Sequence, residues 1–399
     1  MSLDIGRDAR VTIGAAIAGP RAWLAMKGFE VKGWCPDAWR PMQAGDGLLV
    51  RVRPPLGRLT RAEVLGLCEA TKTYGHGRIE ITARANLQIR GVGEGAWRDL
   101  VAALLALGLV DPDPAREAKR NVLVVPDWCD GDDSHGIATA LLAQLDALPS
   151  VPGKVGFAVD AGVAPMLGEA SADFRVERDS DGGLLVRADG RETGMALEPR
   201  DAADALVALA RWFVESGGIG SGRMAHHLAP LPAWAQGGSR PAPARAPLWP
   251  GAHALGAIYG TAFGTIEADT LAAALADADA VRFTPWRQLL LEGAAARARE
   301  GLIDDPASPV LRVEACPGAP DCPQASVATR PLATALATRM TGTLHVSGCA
   351  KGCACRRSTD IVLTGRDGRF DIAFAARAGA PPRHEGVTPA TLLARLGAA

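Results

Sequence analysis

The stretch Cys316-Pro-Gly-Ala-Pro-Asp-Cys322, followed after twenty-six residues by Cys349-Ala-Lys-Gly-Cys353, sets four of the chain's eight cysteines in two close pairs. Soft thiolates select zinc, copper(I) or iron–sulfur clusters, so spacing and surroundings have to decide among the metals. Structural zinc takes ligand pairs with about two to four residues between them. The first pair here encloses five, and a four-iron cubane needs its thiolates spread around an object larger than one ion. The spacing points to an iron–sulfur cluster held by Cys316, Cys322, Cys349 and Cys353, with zinc as the rival. Gly348 and Gly352 let the backbone pass close to such a cluster and leave amides for its sulfurs. Cys355 follows Cys353 after a single residue and points elsewhere, while Cys35, Cys68 and Cys129 read as small buried thiols.

The 399 residues exceed one typical core, so two to three domains are expected. Hydrophobic residues at 48% and charged residues at 22% are ordinary for a globular protein. A formal net charge of −1 argues against a dedicated nucleic-acid binder, which normally carries a basic excess. Eight cysteines are too sparse for a disulfide scaffold, which implies a reducing compartment. The apolar run from Val11 to Gly19 follows Asp4, Arg7, Asp8 and Arg10, a mixed rather than basic start, and no run approaches the length of a bilayer span. A cytoplasmic protein with neither nucleic-acid nor membrane partner is expected.

Working outward from the cysteines, the chain shows an internal repeat. Leu48 to Arg53 alternates apolar and basic residues as a strand with a basic outward face. Thr60 to Thr73 has helical spacing, with Leu59, Val64, Leu67 and Cys68 on one side, and Arg78 to Gly91 reads as a strand pair with its polar residues facing out. Ile81-Thr82 through Leu87, Ile89 and Gly91 returns as Phe283-Thr284 through Leu289, Leu291 and Gly293 at a constant offset of 202. Gly57-Arg58-Leu59 and Gly264-Thr265-Ile266 correspond at an offset of 207. An internal duplication is predicted. Its parts are a half-domain over 27–95, a larger αβ domain over 96–235, a Pro- and Gly-rich linker at 236–250, a second half-domain over 251–293, and the cysteine-bearing domain over 294–399. A closing helix starts at Thr388-Pro389. Gly217 to Gly222 follows a helical stretch rather than a strand, so it reads as a helix stop and turn, and no nicotinamide or flavin domain is evident.

The Cys-x5-Cys and Cys-x3-Cys pairs, with the duplication, resemble the sulfite and nitrite reductase family. That resemblance implies an α+β fold of two ferredoxin-like half-domains and two larger αβ domains related by pseudo-twofold symmetry. It also implies a 4Fe-4S cluster and a sirohaem whose iron is bridged by the last cysteine, here Cys353. The stretch Thr82-Ala83-Arg84-Ala85-Asn86-Leu87-Gln88 resembles the family's tetrapyrrole- and anion-facing strand, and strand alternation puts Asn86 and Gln88 on the side of Arg84. Arg120-Asn121-Val122 resembles the second anion-binding arginine, and Lys154 stands where the first substrate lysine would be. Two departures stand out: Gly156 occupies the place of a second lysine, and Ala350-Lys351-Gly352 replaces the usual Pro-Asn-Gly.

Five motifs in order resemble the precorrin-3B synthases, a branch of that family. They are Lys32-Gly33-Trp34-Cys35-Pro36, Gly45-Asp46-Gly47-Leu48-Leu49-Val50-Arg51, Arg84 through Gly91, Thr284-Pro285-Trp286-Arg287 and Gly348 through Cys353. The resemblance implies O2-dependent hydroxylation of precorrin-3A with lactone closure, a mononuclear non-haem iron beside the cluster, and a separate reductase or ferredoxin as electron donor. Ligands to that iron would come from His76, His135, His226, His227, His253, His345 or His384. A precorrin is a flat polycarboxylate, and arginine both grips carboxylates with two bonds and stacks on planar systems. Arg51, Arg53, Arg84, Arg90, Arg120, Lys154 and Arg287 are the groups available for it. The alternatives are a sirohaem-dependent sulfite or nitrite reductase and a non-catalytic 4Fe-4S electron-transfer or tetrapyrrole-binding protein.

Overall fold

Thr60 commits the first half to a helix. Its Oγ1 accepts from the Glu63 N–H at 3.3 Å while the Glu63 carboxylate accepts from the Thr60 N–H at 2.7 Å, a reciprocal cap that starts the helix Arg61–Tyr74. Val64, Leu67 and Cys68 on its inner face are fully buried, as the helical spacing predicts. The computed structural model describes residues 33–396, so Val11 to Gly19, Lys32 and the first residues of the 27–95 segment lie outside it.

Four five-stranded sheets form two matching pairs. The first sheet orders Met42–Ala44, Gly47–Val52, Leu87–Val92, Arg78–Ile81 and Thr265–Glu267; the second orders Gly251–His253, Gly256–Gly260, Gln288–Glu292, Ala280–Phe283 and Arg58–Thr60. Each takes its outermost strand from the other half. Ile266 pairs with Ile79 and Leu59 with Val281, which is the reciprocity a pseudo-twofold axis imposes. Leu59 at 0% and Ile266 at 3% exposure bury the exchanged strands in the shared core.

The larger domains repeat the same design. Val122–Val124, Phe157–Asp160 and Phe174–Arg178 run parallel and are followed by antiparallel Leu184–Ala188 and Met195–Leu197. Val313–Ala315, Leu344–Ser347 and Thr359–Arg366 run parallel and are followed by antiparallel Arg369–Ala376 and His384–Val387. The duplication therefore spans all four sheets, well beyond the strand–helix–strand units where the sequence repeat is visible. It is marked in the backbone by non-glycine residues in the left-handed region, Leu56 (φ 54°) with Phe263 (φ 58°) and Ala85 (φ 55°) with Arg287 (φ 62°).

One apolar core joins both smaller sheets and the first larger domain, and a second fills the last domain. Residues 236–250 lie along the first larger domain: Ser239 bridges to Gly194, Pro241 to Asp179, and Arg245 grips Asp127 with two bonds of 2.7 Å. The polar faces expected to point outward do not reach solvent. Arg53, Glu80 and Arg90 are buried at 4%, 8% and 5% exposure, because the larger domains cover that side of the smaller sheets. Gly217, with φ 91°, follows the helix Ala202–Glu215 as a turn, and Thr388 Oγ1 accepts from Thr391 N–H at the start of the closing helix Pro389–Leu396. Among the described residues no helix is long and apolar enough to cross a membrane.

Candidate functional site

The topology of the last sheet brings the two cysteine pairs together. Val313–Ala315 and Leu344–Ser347 are neighbouring parallel strands, so Cys316 and Gly348-Cys349 leave the same edge side by side. The Gly348 N–H donates to Cys316 Sγ at 3.2 Å. A Cβ on Gly348 would stand 2.6 Å from Ala325 Cβ, so the approach of the two loops requires glycine there. Burial pushes the half-buried Cys349 thiol above its ordinary value, and the charges of Cys322 and Cys316 add to this; Cys353 is exposed and feels the same neighbours, so the four sulfurs lie within electrostatic reach of one another. A thiol held protonated suits a metal group, whose positive charge ionises it on binding. Among the described residues no three His, Cys, Asp or Glu side chains stand close enough to hold a single metal ion. Four thiols on two loops, with a backbone N–H already on one sulfur, fit the larger cubane. Cys355 is buried with its Sγ against Arg357 O at 3.6 Å, away from the set. Of the three thiols expected to be buried, Cys68 is, Cys35 is half-buried and Cys129 is exposed at a loop surface.

The second half-domain braces the cysteine loop. Arg287 ends the turn between Ala280–Phe283 and Gln288–Glu292, and its guanidinium holds Glu314 and the carbonyl of Ala354, between Cys353 and Cys355. Arg90 does the same from the first half: it grips Asp46 with bonds of 2.9 and 2.8 Å and donates to Asp321 O at 2.7 Å, beside Cys322. Both arginines thus position the cysteine loops. His345 lies fully buried behind the second loop, its pKa pushed down to about 4 by burial and then by Arg287.

A basic cluster brings together Arg84, Arg51 and Arg223, and Arg84 meets Lys154 through its backbone carbonyl. Arg84 Nη2 donates to Lys154 O at 2.7 Å and to Ser171 Oγ at 3.0 Å, and Arg223 Nη1 reaches the same hydroxyl at 3.1 Å. Burial, then the charge of Arg223, lowers the pKa of Arg84 to about 10. Burial also lowers Arg51, whose Nε has no hydrogen-bond partner and whose guanidinium meets the Cys35 thiol. Asp173, bonded to Arg223 Nε at 2.8 Å, and Asp37, which acts on Arg51, are the carboxylates among these groups. Lys154 has no ion-pair partner among the described residues, whereas Asn86 is buried and Gln88 half-buried, in register with Arg51 and Glu80. Three crowded guanidiniums against two carboxylates leave an excess of positive charge that suits anions. Arg223 was not singled out in the sequence, since it sits outside every motif after Gly220-Ser221-Gly222.

Arg120 does not join this basic cluster. Its guanidinium is committed to Glu117 at 2.6 Å, Leu109 O at 3.3 Å and Arg53 O at 2.9 Å. Glu117, at 0% exposure, also takes Arg53 Nη1 at 2.8 Å and the Asp111 N–H at 3.0 Å, so it engages two of the expected ligand-binding arginines at once. Gly156 has an equally physical reason: a Cβ there would meet Asn121 Nδ2 at 2.5 Å, leaving no room for a lysine.

Known proteins share this fold. The nitrite/sulfite reductase ferredoxin-like half domain matches residues 40–107. The NirA protein of Mycobacterium tuberculosis has the same fold, with a TM-score of 0.59, 17% identity, and coverage of 86% of this chain and 78% of that one. A ferredoxin–nitrite reductase from Synechococcus elongatus is 28% identical over 141 residues, 32% of this chain and 27% of that protein. Together these matches show the internally duplicated nitrite/sulfite reductase-like fold. A precorrin-3B synthase from Sinorhizobium sp. is 31% identical over 400 residues, spanning 88% of this chain and 84% of that protein. The chain belongs to the precorrin-3B synthase family and is an oxidoreductase.

Proposed function

We propose that the chain hydroxylates precorrin-3A with O2 and closes a lactone from a neighbouring acetate, the reaction of aerobic cobalamin synthesis. The observation that carries this reading is the cluster of Arg51, Arg84 and Arg223 against Asp37 and Asp173, with Lys154 lacking an ion-pair partner among the described residues, which suits the carboxylates arrayed around a flat macrocycle. Arg84 and Arg223 are held by Ser171 and the Lys154 carbonyl, so they meet a carboxylate already oriented. Buried guanidiniums exclude water from the acetates they bind and orient the one that closes the ring. Cys316, Cys322, Cys349 and Cys353 hold the 4Fe-4S cluster, and Arg90 and Arg287 fix their loops. When bound, the cluster supplies electrons singly. One atom of O2 enters the product and the other leaves as water, with two electrons drawn from a separate reductase or ferredoxin and two protons taken up from solvent.

The mononuclear iron implied by the resemblance finds no three-donor set among the described residues, so no step is assigned to it. His227 is bonded to Ser216 and Ser221, and His135 is stacked on Trp128, far from each other in role as well as in sequence. Glu117 and Gly156 support the precorrin reading over reduction of a small dianion, since each removes a cation from the place where one would bind. A cytoplasmic location and the five-part division of the chain belong to the same proposal. The test is conversion of precorrin-3A under ¹⁸O2 by protein purified without oxygen, read by mass spectrometry. One ¹⁸O in the product is expected. Unlabelled product, or intense sirohaem absorption bands in the purified protein, overturns the proposal.

A further inference from the structure

His345 is 0% exposed, and neither of its ring nitrogens has a hydrogen-bond partner among the described residues. Strand alternation places it: Leu344 and Val346 enter the apolar core of the last domain, so His345 faces the opposite side of the sheet. On that side it meets the second cysteine loop. A Cβ built on Gly352 would stand 3.7 Å from His345 Cε1. Cε1 lies between the two ring nitrogens, so the polar edge of the imidazole faces the loop that carries Cys349 and Cys353. The neighbouring polar groups are already engaged. Arg287 holds Glu314 and the Ala354 carbonyl, and Glu314 sits opposite His345 in register with its carboxylate turned to Arg287 and Arg357. A buried donor or acceptor left unmet costs about 1–3 kcal/mol, so a folded chain keeps an imidazole in such a place when something meets it.

We propose that His345 donates a ring N–H hydrogen bond to a sulfur of the cluster held at Cys349 and Cys353, and that this bond sets the potential at which the cluster accepts electrons. The inference rests on the reading that the four cysteines hold a 4Fe-4S cluster. A hydrogen bond to a cluster sulfur withdraws negative charge and favours the reduced, more negative form, so it raises the reduction potential. His345 is in this role a positioning and tuning residue for electron delivery, distinct from the groups that bind substrate.

The experiment uses reconstituted full-length protein with assayed iron and sulfide, an EPR-monitored redox titration, and pulsed EPR of the reduced cluster in protein carrying ¹⁵N-histidine. The expected results are four irons and four sulfides per chain, a ¹⁵N coupling in the unmodified protein, its loss in His345→Gln, a lower potential in His345→Phe, and partial recovery in His345→Gln, whose amide can still donate. Equal potentials in all three proteins at full iron and sulfide overturn the inference while leaving the cluster reading intact. If neither variant folds, the unmodified protein still decides: absence of any histidine ¹⁵N coupling overturns it. A folded unmodified protein that takes up no iron and sulfide overturns the cluster reading itself.

Discussion

Truncating Glu117 to alanine removes the carboxylate shared by two buried guanidiniums, and the structure allows the loss to be estimated. Glu117 is 0% exposed, and the side chains of Arg53 and Arg120 are 5% and 9% exposed. Breaking a buried ion pair by deleting one partner costs about 3–5 kcal/mol, because the charge left behind has neither water nor counter-charge. The Asp111 N–H loses its acceptor as well, which adds about 1 kcal/mol. Against this, Arg120 keeps the carbonyls of Leu109 and Arg53, and Arg53 keeps the Glu117 carbonyl, so the lower end applies. At about 2–4 °C per kcal/mol for a large domain, a total of about 4 kcal/mol lowers the melting midpoint by about 8–16 °C. The assay is thermal unfolding by circular dichroism, comparing Glu117→Ala, Glu117→Gln and the triple Arg53→Met, Glu117→Leu, Arg120→Met. Glu117→Gln keeps an acceptor and should lose less, and the triple variant should recover much of the stability because no charge is stranded. A Glu117→Ala protein melting within about 2 °C of the parent refutes the argument.

Three other outcomes can be measured directly. Cys349→Ala should abolish cluster assembly, and full iron and sulfide in that variant would show that the cysteine set is misassigned. Arg84→Met removes a charge-assisted grip worth about 1.5–3 kcal/mol, so precorrin-3A binding followed by absorbance should weaken about ten- to a hundredfold; an unchanged dissociation constant contradicts the assignment of the basic cluster. Asp160, buried on the Phe157–Asp160 strand, has its carboxyl pushed from 3.8 up to about 6 by burial, against the pull of the Met166 and Leu167 N–H groups. The native state then binds more protons than the unfolded one between about pH 4 and 6, and stability falls as pH rises through that window. Asp160→Asn should therefore gain on the parent, by up to about 3 kcal/mol, between pH 4 and pH 7 in urea unfolding. A gap that is the same at both pH values rejects this.

The parts of this molecule that could be read from sequence are those where chemistry or backbone geometry demands particular residues. Thiolate ligands must be cysteines, so the pairs at Cys316 and Cys349 stood out by spacing alone. The repeat was visible where a turn needs a left-handed residue and a following glycine, at Ala85 to Gly91 and Arg287 to Gly293. It was invisible in the larger domains, where burial accepts any apolar residue and the two copies have diverged around a common sheet order. The exchange of Arg58–Thr60 for Thr265–Glu267 was equally hidden, because a three-residue strand with one buried side chain reads the same in either sheet. The arginines show a further limit: Arg84 and Arg120 look alike in sequence, and what separates them is the partner each meets. A Glu three residues before an Arg was a legible pairing signal for Glu117 and Arg120; nothing local announced that Arg223 would arrive beside Arg84.

Those partners bear on specificity more than any single motif does. Glu117 closes off Arg53 and Arg120, and Asn121 fills the space a side chain at Gly156 would need, so this chain is short of cations at one point. Arg51, Arg84 and Arg223 face Asp37 and Asp173, and Lys154 has no ion-pair partner among the described residues, so positive charge persists there. A compact dianion is held by converging charges, while a macrocycle bearing several acetates and propionates is held by separated ones. On the proposed function, the same duplicated scaffold serves the second task rather than the first by pairing off cations at one place and leaving them in excess at another, with the cysteine loops held by their arginine braces.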